Sequence, residues 1–406
     1  VHVIFVEPAF PYNQQQFPRA LKAVGARVTG IGEASHDALP QSLRDQLDDY
    51  VQIRSVVHEP SLRQAVEMIQ RKGPWVDRLE ATVEAHILPA AKVRAACGIP
   101  GTSVETAFLC RDKPAMKEAL RKAGIACAQS TGTGDPDAVR AFAAAVGYPL
   151  IVKPRDAAGA AGTFKVTDDA ELESAIAESG MARGASVAVE EFIEGHEGFF
   201  DTITAGGRIL HHFVTHYYPG VLEAMRTRWI SPQFIATNRT GAQGYGELEV
   251  MAEKVIRALG IVTSASHMEW FFGPKGLTFS EIGCRPPGVG AWDLYCAGND
   301  LDVYREWAMA IVHGERGDRA SRRFAAGLVN LRPEADGRIR GYDGLSVLDR
   351  FSQWLIDHHL PPAGTPTQPV EAGYMANAWV RLRHPDYDRL RWMLDEVGRN
   401  MRVRVA

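Results

Sequence analysis

The sequence predicts a chain of mixed α/β and α+β class. Three observations carry that prediction. Strand-like and helix-like segments alternate over about the first hundred residues, which implies a parallel-sheet α/β domain. Strand and helix signals continue through the middle of the chain, punctuated by Gly and Pro. Residues 267–288, HMEWFFGPKGLTFSEIGCRPPG, hold two apolar runs around Gly-Pro-Lys-Gly and read as an antiparallel hairpin.

The first unit spans 1–105. Its opening VHVIFVE is β-rich, 14–24 is helical and ends at Gly25, and 27–32 is a second strand. Residues 61–71 and 87–98 read as helices, the latter with a glycine stop. No GxGxxG follows the first strand, so a dinucleotide site is unsupported. Pro100 and Gly101 mark the boundary.

The second unit spans 106–195. Asp112 and Lys113 open a helix that runs to Lys122 and stops at Gly124. A lysine in the first turn opposes the helix dipole, which marks Lys113 as a functional candidate against the reading of a solvated side chain. Strand 128–133, helix 136–146 and strand 149–154 follow. Lys153 ends the apolar run Leu150, Ile151, Val152, a poor place for a merely solvated cation. It leads into the small residues 157–162, among them Gly159, Ala160, Ala161 and Gly162. Backbone N–H groups there can approach phosphates closely. The loop is not a Walker A motif, because no Gly-Lys-Ser/Thr follows. After a helix at 168–178, the strand 187–193 carries Glu190 and Glu191 and suits an adenine slot; the competing reading is an ordinary edge strand.

The third unit spans 196–320. Strands at 199–205 and 208–217 precede a long irregular stretch, 217–246, with Tyr217, Tyr218, Arg226, Arg228, Trp229 and Arg239. Its rings and arginines argue for a functional loop and against simple disorder. After a helix at 246–259, each strand of the hairpin places one carboxylate, Glu269 and Glu281, among apolar neighbours. An unpaired charge there is expensive, and a divalent cation between the strands would resolve the cost. Magnesium takes few carboxylates plus phosphate oxygens. Arg285, four residues on, has the planar fork that suits phosphate or carboxylate. The competing reading is a hairpin with solvated glutamates. A helix at 299–313 closes the unit, and 321–406 reads as a C-terminal α+β lobe with strands FAAGLVNL and YMANAWVRL and a helix at 385–397.

The 406 residues carry a net charge of -4 and a pI near 6.4, which gives no electrostatic reason to expect nucleic acid or an anionic membrane. Five scattered cysteines without a CxxC pair argue against a disulfide framework or zinc site and fit a reducing cytoplasm. Cys284 reads as a buried, inert thiol. The apolar N-terminus is too short to span a bilayer and lacks a basic lead, so it reads as a strand and not a signal peptide.

Together these pieces resemble the ATP-grasp superfamily, specifically carboxylate–amine ligases such as L-amino acid ligases. The resemblance covers nearly the whole chain: a Rossmann-like leading domain, a two-lobed ATP-grasp body and a terminal lobe. It implies that Lys113 and Lys153 contact nucleotide phosphates under the 157–162 loop. It implies that VEEFIEGHE, 189–197, reads adenine, with Glu190, Glu191 and Ile193 at the hinge and Glu197 on the ribose. Glu269 and Glu281 match magnesium ligands, and Arg285, with Lys153, matches the catalytic cations beside an acyl phosphate. His267, Arg226, Arg228 and Trp229 are the substrate candidates. Many members carry Asn where this chain has Gly283, which leaves open whether one or two Mg2+ ions bind.

The implied activity is ATP-dependent amide bond formation between a small carboxylate and an amine, in the cytoplasm, without nucleic acid or membrane, and compatible with a homodimer. A carboxylase or nucleotide-biosynthesis ligase on the same body is the alternative enzyme; a biotin-dependent version lacks its carrier motif. A non-catalytic ATP-binding module is the alternative class. Carboxylate-dependent ADP release separates the two classes.

Overall fold

The computed structural model describes residues 1–155, 162–242, 244–288, 290–370 and 374–406. Its first sheet is parallel, ordered β3-β2-β1-β4, from β1 (His2–Val6), β2 (Arg27–Gly32), β3 (Asp49–Gln52) and β4 (Arg78–Glu80). All five β1 residues are buried, as expected of a strand covered on both faces. Helices Gln16–Ala23, Glu59–Lys72 and Glu84–Cys97 flank this sheet. The last stops at Gly98, whose φ of 67° is the left-handed cap glycine allows.

A small antiparallel sheet follows, ordered β5-β8-β6-β7, from β5 (Ser130–Thr133), β6 (Leu150–Pro154), β7 (Phe164–Val166) and β8 (Val187–Glu191). Helices Pro136–Val146 and Asp169–Glu178 supply Val139, Ala143, Leu172 and Ile176 to a core with Leu150, Val152, Val187 and Val189.

The largest sheet has eight antiparallel strands, ordered β13-β12-β9-β10-β11-β14-β17-β16. They are β9 (His196–Ala205), β10 (Arg208–Tyr218), β11 (Gln233–Ala236), β12 (Ser264–Gly273), β13 (Gly276–Gly283), β14 (Ala325–Leu331), β16 (Leu355–His359) and β17 (Ala378–His384). The pair β15 (Ile339–Asp343) and β18 (Arg402–Val405) stands beside it.

Three sequence expectations change here. The stretch 217–246 is not wholly irregular: Val221–Ala224 is a short helix, and β11, fully buried, lies mid-sheet between β10 and β14. The helix expected at 299–313 is Val303–His313, and a helix not expected from sequence, Ala291–Asn299, precedes it, joined through Asp300 at φ 50°. The C-terminal strands β14, β16 and β17 extend the large sheet, so the boundary expected near residue 320 falls inside one sheet. Helix Tyr387–Asn400 packs on them through Leu390, Leu394 and Val397.

The cores are shared between units. Phe17 of the first domain sits with its ring centroid 5.0 Å from Trp307 and 5.5 Å from Trp292, in the helices beside the large sheet. Ile4 and Val6 belong to one apolar cluster with Met251, Met268 and Ile282.

Helix Val303–His313 is pinned to β10 by a buried carboxylate. Glu306 lies 3.0 Å from His211 Nε2 and accepts from the N–H groups of Gly317 and Asp318 at 2.8 and 3.0 Å. Burial pushes this carboxyl up, but the bonds from His211, Asp318 and Gly317 outweigh that and hold it below the ordinary value of 4.5. Its stabilisation is therefore full above the ordinary glutamate range and lost as pH falls through the lower folded value. Glu306→Gln should cost about 1–3 kcal/mol at neutral pH. The gap to the unaltered protein should narrow in acid; urea midpoints at the two pH values measure both.

Candidate active site

The site lies where β12 and β13 meet β9 and the small sheet. Residues two apart on a strand share a face. On β9 that face carries Glu197, Phe199 and Asp201, which pair with Phe271, Glu269 and His267 of β12. On β13 Glu281 stands opposite Glu269, and Gly283 opposite His267. A register shift between Glu269 and Trp270 bends the hairpin at the carboxylates. The opposite face is apolar, with Phe200, Met268 and Trp270 against helix Tyr245–Ala258.

The small sheet brings the cations. Lys153 ends β6, its Nζ 2.9 Å from Glu190 Oε2 and 3.7 Å from Glu281 Oε2. Lys113 opens helix Lys113–Lys122, where Asp112 caps by accepting from Ala115 N–H, and its Nζ is also 3.7 Å from Glu281. Lys117, one turn on, was not singled out from sequence. It is 1% exposed and lies 2.6 Å from Glu190. The resemblance placed Glu190 at the adenine hinge. In the structure its backbone is engaged in ladders with β5 and β6, and its side chain is the shared partner of two lysines.

Burial pushes the Glu190 carboxyl up, but Lys117 and Lys153 reverse this and hold it at about 2. Burial draws Lys117 below the ordinary lysine range against Glu190's pull. Lys153 feels the same burial, yet Glu190, Glu281 and Glu269 together raise it. Glu197 accepts from Val221 N–H at 2.7 Å. Burial, reinforced by Glu269 and Glu281, pushes it up to about 8.

Arg285 donates through Nε to Glu84 at 2.6 Å and through a terminal nitrogen to Pro286 O at 2.9 Å. Glu84, at the start of helix Glu84–Cys97, was not singled out from sequence, because an acid in a first turn is what the helix dipole favours anyway. A Cβ at Gly283 would stand 3.3 Å from Glu84 Oε2, so any side chain there would require Glu84 to shift slightly. One cavity is lined by Glu84, Arg111, Lys113, His267, Glu281 and Arg285, among others. His267 is oriented from beneath: Asp201 accepts from its Nδ1 at 2.7 Å and from the Tyr295 hydroxyl, while Nε2 lies 3.6 Å from Glu269.

The remaining candidates lie around this centre. Glu191 pairs with Lys275 of the hairpin turn, and Ile193 follows β8, half-buried. Gly162 adopts a φ of 66°; Gly159, Ala160 and Ala161 lie outside the described residues. Arg226 donates to Thr163 O at 3.2 Å, Arg228 pairs with Asp336 at 2.8 Å, and Trp229 is 87% exposed; none of the three lines the cavity. Among the described residues, no three His, Cys, Asp or Glu side chains form a ready metal cluster. The facing pair Glu269 and Glu281, with cations close by, fits instead an ion that takes part of its shell from phosphate.

A sheet face of carboxylates set against a lysine-bearing small sheet is the frame of a nucleotide site. Residues 118–299 match the model of the ATP-grasp domain. It is 30% identical over 228 residues to the L-arginine-specific L-amino acid ligase of Bacillus subtilis, a span of 55% of this chain and 54% of that one. It is 25% identical over 231 residues to the alanine–anticapsin ligase of Bacillus subtilis strain 168, 52% and 48% of the two chains. The chain thus spans about half the length of these relatives. The crystal structure of an L-amino acid ligase from Bacillus licheniformis matches with a TM-score of 0.75 at 18% identity, covering 100% of this chain and 98% of that one. N5-carboxyaminoimidazole ribonucleotide synthetase from Thermotoga maritima matches at 0.70 and 17%, covering 100% and 99%. At such identities the likeness is one of fold. No helix among the described residues is long and apolar enough to cross a membrane.

Lys117→Met keeps most of the volume but leaves Glu190 with Lys153 alone. It should cost on the order of 3 kcal/mol, since it breaks a buried pair. Stability from Glu190 is present above the ordinary value of 4.5 and lost as pH falls toward about 2. Denaturant midpoints for both proteins between neutral pH and strong acid test this: the difference should shrink in acid.

Proposed function

We propose that the protein is an ATP-dependent ligase that joins a carboxylate, amino acid-like, to an amine through an acyl phosphate, releasing ADP and phosphate. One observation carries the reading. Glu269 and Glu281 face each other with Lys113 and Lys153 at 3.7 Å from Glu281, and Arg285 borders the same cavity. The amino acid ligases among the relatives support the substrate class. The carboxylase reading has the shared fold in its favour and no residue of its own.

In this reading Glu269 and Glu281 would hold magnesium, which would supply neutralisation of phosphate charge. Lys153 and Lys113 hold the phosphates, and Lys117 keeps Glu190 and Lys153 in place. The hinge Glu190, Glu191 and Ile193 borders the base, and Glu197 takes the ribose. Arg285 spans the phosphoryl group and the carboxylate under activation, where its contact strengthens in the transition state. His267 faces the substrate; Arg226, Arg228 and Trp229 bound it from outside the cavity. The proposed division of the chain is 1–105, 106–195, 196–320 and 321–406, with the last two segments sharing the large sheet.

A screen of amino acid pairs for ADP release, with product masses read in parallel, tests the whole reading; carboxylate-dependent ADP without an amide mass would redirect it to another acyl phosphate chemistry. Within it, Arg285→Lys keeps the charge and loses the fork, so kcat should drop about 100-fold or more while KM for ATP changes little. A lower melting temperature with unchanged turnover per folded molecule would make Arg285 structural. Glu281→Gln should abolish turnover in a folded protein.

A further inference from the structure

Cys284 lies between Glu281 and Arg285 and has no part in the proposed reaction. Its Sγ is 3.0 Å from that of Cys110, across 174 positions of sequence. That is closer than ordinary packing of two thiols and longer than the about 2.05 Å of a disulfide. Cys110 closes helix Val104–Leu109 two residues before Asp112, and Cys284 leaves β13. Each is 4% exposed, but Cys110 is part of the lining of the cavity that holds Glu84, Lys113, Glu281 and Arg285. Of the two cysteines, only Cys110 lines that cavity, which makes it the one a small neutral oxidant entering there can reach.

We propose that Cys110 and Cys284 are a modification site, oxidised by a peroxide to a reversible disulfide that stops turnover by fixing the segment carrying Arg285. The Cys110 sulfur attacks one peroxide oxygen, the O–O bond breaks, and the second oxygen leaves as water with the thiol proton. The Cys284 sulfur then attacks the sulfenic Cys110 sulfur; the S–S bond forms, the S–O bond breaks, and hydroxide leaves as water with the Cys284 proton. Two thiols and one peroxide thus give one disulfide and two waters. The hydrogen bond to Cys284 and burial hold the Cys110 thiol well above its ordinary range, so the first step is slow. The second joins sulfurs already in contact. Arg285 would then lie between a cross-link on one side and Pro286 and Pro287 on the other, with little backbone freedom to leave Glu84.

Hydrogen peroxide, removed afterwards with catalase, is the probe. The expected result is a mass lower by two hydrogens, a Cys110–Cys284 peptide pair in a non-reducing digest, and a raised melting temperature. Carboxylate-dependent ADP release should fall about 100-fold, as for a misplaced catalytic group, and return with dithiothreitol. Cys110→Ala and Cys284→Ala should each turn over normally and keep their activity after peroxide. Only the kinetic arm rests on the ligase reading. Untreated protein that ligates nothing while the bridge forms refutes that reading and leaves the site. An active ligase in which no bridge forms, or in which both variants are inactivated like the parent, overturns the proposal.

Discussion

The buried carboxylate of Glu190 is the constraint around which the site is arranged. It sits on the central strand of the small sheet with Lys153 from the neighbouring strand and Lys117 from the helix above. Withdrawing each such charge from water costs several kcal/mol, and apolar residues of equal volume would fill the space more cheaply. What the ions add is position. Lys153 cannot leave Glu190 without stranding a buried charge, and from there it reaches Glu281 on the other sheet. The lysines Lys113, Lys117 and Lys153 thus gather around Glu190 and Glu281.

The large sheet answers with the opposite sign. Glu197, Glu269 and Glu281 stand on one face, and the cost of their proximity is visible at Glu197, which burial and its two neighbours hold near 8. Below them the polar groups are satisfied. Asp201 takes the His267 imidazole on one oxygen and the Tyr295 hydroxyl on the other, and Tyr295 also bonds Thr215 at 3.0 Å. A fully bonded network of this kind fixes rotamers, so the strain of like charge stays at the surface where a cation can relieve it.

Sequence patterns revealed what depends on local chemistry. The apolar β1, the Asp112-capped helix, the hairpin and its two facing carboxylates all follow from periodicity, caps and turns. What they could not reveal depends on distant partners. Lys117 has the pattern of a solvated helical lysine, and only Glu190, supplied by another element, makes it buried. Glu84 has a local reason to begin a helix, and its pairing with Arg285 spans 201 positions. β11 is four residues long in a polar stretch, too short for alternation to register, and it is a strand because β10 and β14 present their edges to it. The C-terminal lobe looked separate for a related reason: sheet continuity is a property of pairing, which sequence order hides.

These distant partners also show that the conserved-domain segment is not a self-sufficient machine. The match spans 118–299, yet Glu84, Lys113 and Lys117 precede it. Lys117 holds Glu190, Lys113 approaches Glu281, and Glu84 holds Arg285, so three charges of the segment have a counterpart outside it. The apolar cores run the same way, from Ile4 and Val6 to Met268 and Ile282. In the ligase reading Arg285 must exchange Glu84 for the reacting groups during turnover. The cost of that exchange is set by the first domain, because the Glu84 carboxylate left behind must find water or substrate in a cavity shared with Arg111 and Lys113. A substrate ammonium group would compensate Glu84 as it loses Arg285, which couples arrival of an amino acid to release of the catalytic cation. In that reading the leading domain acts on the chemistry through one ion pair.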